Sequence, residues 1–384
     1  MTLAASNRVD HLHGLGIIPR LRAVARRGLA QMYRPDEHLF GFTIRGQDGR
    51  NVLEGRSRRY TAITLIGLAE EAPAVRREIL AGQEAASVWE TLAAAMADET
   101  NLGDVALTLW AGLALGCADV DRLAARLAKL DPVHGLHPTV EVAWALTSLS
   151  IDAGCFERFS TQAERIAERL LESFVPDSGL FPHWPAGSHR SWLRGHVACF
   201  ADVVYPIQAL SHYSMRTGDG RALSAARRCA GHAAAHQGAE GQWWWHFDVR
   251  TGRVVEGYPV YSVHQDAMAP MAMFALRKAS GDDHGRSIDR GVQWLMHPPE
   301  LAARAGEAHG VLVDGDAQLI WRKVARHEPG KLARSLQAAA SRVHPALRVP
   351  GVDVLFPAGW IDRECRPYHL GWLLYAWSDR TLEA

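Results

Sequence analysis

The 384-residue chain has no surplus charge of either sign, because Lys+Arg and Asp+Glu both number 42. A chain without a net field offers nothing global to draw in nucleic acid or an anionic membrane surface. It also lacks any run of about 18 apolar residues, so no membrane-spanning helix is expected. Cysteine is scarce. Cys117, Cys155, Cys199, Cys229 and Cys365 are odd in number, widely spaced and form no Cys-x-x-Cys pair. That pattern excludes a disulfide framework and reads as reduced thiols, mostly in the core. The first twenty residues carry His, Arg and Asp without a long apolar stretch, unlike a signal peptide. A cytoplasmic location is the expectation.

Several chemistry-bearing motifs are missing as well. Neither Gly-x-x-x-x-Gly-Lys-Ser/Thr nor a Gly-x-Gly-x-x-Gly after a strand occurs, which disfavours nucleotide binding. Gly-x-Ser-x-Gly is absent, which lowers serine-type hydrolysis. No His-Glu-x-x-His occurs, and His183 and His189 share a loop with no obvious third ligand. Neither a metal nor a cofactor is expected.

What the chain does have is 13 tryptophans and 19 histidines. Tryptophan usually packs cores, but Trp243-Trp244-Trp245 followed by His246 is too dense for one buried face. Such rings also make flat platforms for sugars or cages for hydrocarbons.

Two kinds of helix alternate along the sequence. Residues 119–130 are amphipathic, with Val120, Leu123, Leu127 and Leu130 on one stripe and Asp121, Arg122, Arg126 and Lys129 elsewhere. Residues 102–116 are apolar nearly all round, which marks a helix buried on all sides. Six buried segments (58–70, 102–116, 138–152, 197–216, 262–279 and 366–378) each follow an amphipathic one (17–33, 85–97, 119–130, 157–174, 221–237 and 285–296). An amphipathic–buried pair is a unit that must stack on its neighbours to hide its face. Six such pairs closing in a ring predict one all-α domain over residues 1–384. It would be a six-hairpin α/α toroid with inner and outer helical barrels and small β-hairpin elements in the long loops. Connections from inner to outer helices are short. Late connections from outer to inner helices (175–196, 238–261 and 297–365) are long, which nominates their shared end as the functional mouth.

The leading turns of all six buried segments carry polar residues, whereas their later turns are apolar. These are Arg58, Arg59 and Tyr60; Asp104; His137 and Glu141; His196, Asp202 and Tyr205; His264, Gln265 and Asp266; Tyr368 and His369. Charge inside an apolar barrel is costly unless paired or functional. Helix N-termini also favour carboxylates, a purely structural account of Asp104 and Asp266. Asp202 and Glu141 lie deeper in apolar stretches, where desolvation raises a carboxyl pKa. Glu141, Asp202 and Asp266 are therefore the leading acid/base candidates, with His264 and His369 behind them.

Two loops add motifs. Asp177-Ser178-Gly179-Leu180-Phe181-Pro182-His183 precedes Trp192-Leu193-Arg194-Gly195-His196. Gly241-Gln242-Trp243-Trp244-Trp245-His246-Phe247-Asp248 leads through Thr251-Gly252 to His264. The second alternates and ends in a turn signal. It predicts a short hairpin with Trp243 and Trp245 on one face and Trp244 and His246 on the other. In the tail, Arg363, Glu364 and Arg366 read either as a charged latch at the mouth or as an exposed ion-pair loop.

At these residues the chain resembles the six-hairpin toroid glycosidases, and among them the unsaturated uronyl hydrolases. Asp177, Gly179, Leu180, His183, Trp192, Arg194 and Gly195 fit that family's loop motifs, with His196 in place of an Asn. Gly241, Trp243 and Asp248 fit its next loop. The resemblance spans about a quarter of the chain. It implies that His183, Trp192 and Arg194 line a sugar subsite and that an inner-helix carboxylate protonates the substrate. The family's catalytic Asp is replaced here by Glu141, which leaves lyase, epimerase and sugar-binding roles open. The expected partner is a small-molecule or oligosaccharide substrate held by Arg59, Tyr60, Asp104, His137, His183, Trp192, Arg194, His196, Tyr205, Trp243, Trp245, His246, Gln265 and His369. Two other readings compete: an isoprenoid cyclase, for which Asp314-Gly315-Asp316 is only a partial echo of an Asp-x-Asp-Asp motif, and a non-catalytic glycan-binding protein.

Overall fold

The computed structural model describes residues 16–47, 49–185, 194–302 and 310–378. Twelve helices form the ring. Odd-numbered ones lie outside: α1 (Ile17–Met32), α3 (Ala85–Ala94), α5 (Asp121–Lys129), α7 (Ala153–Ser173), α9 (Gly220–Ala235) and α11 (Gly285–Met296). Even-numbered ones lie inside: α2 (Arg58–Leu68), α4 (Leu102–Leu115), α6 (Thr139–Ser150), α8 (Ala201–Thr217), α10 (Ala269–Ser280) and α12 (Pro367–Ala376). The split follows the hydrophobic pattern. In α5 only the Leu123–Ala124–Leu127 stripe is buried. In α6 every residue except Val140 is.

Each inner helix packs on the next, and α12 packs on both α10 and α2, so the ring closes as an α/α toroid. Closure depends on two glycines. A Cβ on Gly67 would lie 2.1 Å from the Gly371 carbonyl oxygen, and one on Gly371 would lie 2.8 Å from the Thr64 Cα. These obstacles are backbone and cannot rotate away. Gly67→Ala should therefore cost about 3 kcal/mol, the upper end of overpacking penalties, read as a drop in the urea midpoint.

The outer-to-inner connections carry small antiparallel sheets. Strands β1 (Thr43–Gln47) and β2 (Arg50–Glu54) form a hairpin. Strands β3 (Val197–Cys199), β4 (His246–Asp248) and β5 (Val254–Glu256) form a sheet in that order. Strand β6 (Val260–Tyr261) pairs with β7 (Lys323–Arg326), which pairs with β8 (Ala358–Asp362). Strand β9 (Glu364–Cys365) adds to β1 and ties the end of the chain to the start. A helix over Leu332–Val343 covers β5. Among the described residues no helix is long and apolar enough to cross a membrane.

Glu364 confirms the latch. It is buried and bridges Arg45, Arg322 and Arg366 at 2.8, 2.8 and 2.9 Å. Burial pushes its carboxyl up, but the three guanidiniums together hold it below the usual range. Arg363 contributes only its carbonyl, which accepts from the Gly46 N–H. Asp314 makes a local turn, its side chain accepting from the backbone N–H groups of Asp316 and Ala317.

One irregularity shapes the mouth. Pro270 has no N–H and its ring crowds the carbonyl four residues back. The chain answers with a widened π turn over His264–Met268, in which the Ala269 N–H bonds to the His264 carbonyl. The Asp266 carbonyl, freed from the helix, accepts instead from the Trp377 indole at 2.6 Å.

Candidate active site

A cavity of about 250 Å³ opens at the N-terminal ends of the inner helices. Five of the six contribute: Arg59 and Tyr60 from α2, Trp144 from α6, Tyr205 from α8, His264 and Met268 from the π turn, and Tyr368 from α12. Tyr261 and Arg322 reach in from β6 and the start of β7, and Trp245 from the loop before β4. A wider groove of about 860 Å³ shares Arg59 and Tyr60 with it and runs outward past Asp104, Glu99 and Phe42.

The walls are aromatic and tightly keyed. Tyr205 meets Trp144 edge-on at 4.9 Å, and Tyr261 meets Trp245 edge-on at 4.8 Å. Cations sit on the rings: Arg59 over Trp144 at 5.6 Å, Arg322 over Tyr261 at 5.3 Å and Arg334 over Trp245 at 5.0 Å. Two polar atoms of the lining, Trp144 Nε1 and His264 Nδ1, are buried without a partner among the described residues. Their nearest polar neighbours are the Tyr205 hydroxyl and the Trp243 backbone, so both nitrogens keep bonding capacity toward the cavity.

The rim holds a charged chain. Arg59 pairs with Asp104 and donates to Asn101 Oδ1 at 2.7 Å. Asn101 in turn donates to Glu141 Oε1 at 2.8 Å, with the Arg59 guanidinium 3.7 Å from that oxygen. Asn101 also caps α4 by accepting the Asp104 N–H. Its only sequence signal was its place as a helix cap. Arg322 and Tyr261, on loops far from any helical period, had none.

The three leading carboxyl groups have different surroundings. Glu141 lies at the rim beside Arg59. Asp202 is fully buried, accepts the Cys199 backbone N–H at 2.8 Å, and receives His183 Nδ1 at 3.1 Å. It thus serves the backbone just before α8, contrary to the expectation that capping would not explain it. Its carboxylate raises the His183 pKa, burial opposing. Asp266 is also fully buried and faces His369 Nε2 at 2.8 Å. Burial raises its pKa, with His369 pulling the other way. None of the three lines the cavity wall; Glu141 stands behind Arg59, whose guanidinium does, at 3.7 Å.

Several expected contacts face elsewhere. His137 Nε2 is spent on the Leu130 carbonyl at 2.8 Å. His196 lies under the 332–343 helix with Nε2 3.0 Å from Ser341 Oγ. Gln265 is a buried clamp, accepting from the Trp243 N–H and donating to the Tyr261 carbonyl. Trp243 is core, packed on Phe200 and Gly291. The hairpin forms only from His246 onward, so the tryptophans do not alternate by face. Trp245 instead stacks on its neighbour His246 at 4.2 Å. Burial holds both His246 and His264 down to about 3, so each is a neutral imidazole near pH 7. Arg194 is exposed at the rim, close enough to His183 and His246 to depress their protonation. Trp192 and His189 lie outside the described residues. The missing third ligand for His183 does exist: Cys199 and Asp202 lie beside it.

The architecture is that of the six-hairpin toroid glycosidases. An unsaturated glucuronyl hydrolase specific for heparin is 13% identical and superposes with a TM-score of 0.58, over 95% of this chain and 96% of its own. The unsaturated glucuronyl hydrolase of Bacillus sp. GL1, responsible for the degradation of glycosaminoglycan, is 15% identical with a TM-score of 0.52, covering 94% of each chain. The GH76A α-1,6-mannanase of Salegentibacter sp. HEL1_6 is 12% identical with a TM-score of 0.55, over 94% of this chain and 98% of its own. At such identities the likeness is one of fold. No family model matches the chain, and no curated protein does.

Proposed function

We propose that the protein is a carbohydrate-active enzyme that takes one terminal sugar ring, of uronate type, into the central cavity. Glu141 would do the acid/base work, and the rest of the oligosaccharide would lie along the outer groove. The observation that carries this reading is the cavity wall itself: aromatic faces, guanidiniums seated on them, and two unpartnered hydrogen-bonding atoms. Its volume falls below the roughly 300–1,000 Å³ of drug-sized sites, which suits a single ring and excludes an extended chain. Aromatic planes suit the apolar face of a sugar, and the free Trp144 and His264 nitrogens suit its hydroxyls. For a carboxylate on that ring, Arg59 and Arg322 are the cations of the wall itself, and Arg334, seated on Trp245 behind it, is the one with the least engaged charge. Its nearest acid, Glu328, is 4.0 Å away, whereas Arg59 and Arg322 already have close partners. The two arginines and the open mouth of this aromatic cavity count against the isoprenoid cyclase, which needs a sealed apolar chamber.

The test is a panel of oligosaccharides ending in saturated uronyl, unsaturated uronyl or neutral residues, scored by thermal shift and product release. Uronyl-ended members should both raise Tm and turn over. Stabilisation without product from any member would favour the glycan-binding alternative, and silence across the panel would remove the carbohydrate reading.

A further inference from the structure

We propose that His183, Cys199 and Asp202 form a binding site for a divalent transition-metal ion of the zinc type. The three come from separate elements: the loop after α7, the end of β3 and the first turn of α8. Their ligand atoms, Nδ1 or Nε2, Sγ and a carboxylate oxygen, all lie within 4.8 Å of one another. Zinc bonds of about 2.0–2.3 Å to such donors put neighbouring ligands of a tetrahedron about 3.3–3.7 Å apart. His183 Nδ1 stands 3.2 Å from Asp202 Oδ1, so that pair needs to open by only a few tenths of an ångström, and the 4.8 Å span of the cluster leaves the sulfur about an ångström or less to move. The other Asp202 oxygen already holds the Cys199 N–H, which fixes the carboxylate plane as an outer partner of a metal ligand does.

The donor chemistry selects the ion. A sulfur beside an imidazole and a single carboxylate suits zinc, cobalt or nickel and not magnesium or calcium, which need oxygen cages. Coordination releases the thiol proton to solvent, while the imidazole binds through the lone pair of one ring nitrogen and keeps its proton on the other. A dication then meets one thiolate, one carboxylate and one neutral ring, so the buried cluster carries no net charge, the condition under which burying ions is least costly. The His183 side chain is 45% exposed, which leaves a solvent-accessible side for a fourth ligand. Three protein ligands with one open position is the arrangement of an accessible zinc site, whereas structural sites are closed with four. The bound ion would fasten the segment after α7, at His183, to the inner barrel. This inference is independent of the sugar reading.

The experiment is a cobalt(II) titration of the chelator-treated full chain, followed by optical absorption, with circular dichroism confirming the fold. One equivalent of Co²⁺ should give visible ligand-field bands of four-coordinate intensity and a thiolate-to-cobalt charge-transfer band in the near ultraviolet. Cys199→Ser should abolish the charge-transfer band, while Cys117→Ser keeps it. His183→Gln, at a half-exposed position safe for folding, should weaken binding by roughly a hundredfold or more, since even an outer-shell loss costs about 10–100-fold. A folded wild-type chain that gives no such bands would overturn the proposal. Bands that survive unchanged in both Cys199→Ser and His183→Gln would overturn it equally. Because the readout contains no sugar, its failure leaves the carbohydrate proposal standing, and the reverse also holds.

Discussion

Glu141→Gln is expected to lower turnover of a uronyl-ended oligosaccharide by about 10²–10⁴-fold, the usual contribution of a positioned general acid or base. The substitution keeps volume and shape, and its carbonyl oxygen can still accept the 2.8 Å bond from Asn101. Only the exchangeable proton and the charge are lost. KM should therefore change little, because the aromatic walls and Arg334 are untouched. Stability should shift by less than about 1 kcal/mol, because no buried partner is orphaned. Steady-state kinetics with a urea titration separates the two effects. A variant that keeps wild-type turnover would remove Glu141 from the chemistry, and one that unfolds would make it a structural residue. Asp266→Asn provides the contrast. It strikes a fully buried carboxyl whose role is to face His369, so its cost should appear mainly in the urea midpoint.

The fold was legible because burial leaves a period. Helix α5 shows one stripe and α4 none, and that difference alone sorts outer from inner. Ring closure was less legible. It rests on Gly67 meeting Gly371, and a glycine's meaning depends on which helix lies opposite, information that no local pattern contains. The same limit governs the site. Of the polar first-turn residues, Arg59, Tyr60, Tyr205 and His264 stand in the cavity wall. Position in a turn does not say whether a side chain points along the axis or sideways to a neighbour. His137 and Gln265 therefore went to backbone carbonyls, and Asp202 and Asp266 went to histidines. Arg322 is brought in by the pairing of β7 with β6, a contact across about sixty residues that has no periodic trace. Cys199 became visible as a partner of His183 only once β3 was placed against α8.

The histidines of the mouth set the pH at which this structure holds. His246 and His264 are each about 5% exposed and are held down to about 3, burial being the main cause in both. Arg194 and Arg334 add to it at His246. In the unfolded chain both return to about 6.5. The folded state therefore binds fewer protons than the unfolded one over the whole interval between those values. For a histidine depressed in this way, stability is complete above about pH 7 and is lost as pH falls below about 6.5. Integrating two such groups from pH 7 to pH 5.5 gives a loss of about 2.5 kcal/mol, a large part of the roughly 5–15 kcal/mol that holds a folded protein together. Urea unfolding at the two pH values should show it together with a similar loss from His212, which burial also holds down to about 3, and His264→Gln, which cannot be protonated, should remove about a third of the whole. A midpoint that stays level over that range would mean that the two rings are hydrated and charged in the folded state. The cavity wall would then be a different surface from the one described, because a neutral His264 with a free Nδ1 can hydrogen-bond a sugar hydroxyl, whereas a charged one beside Tyr261 and Phe200 would need a carboxylate that this wall does not provide.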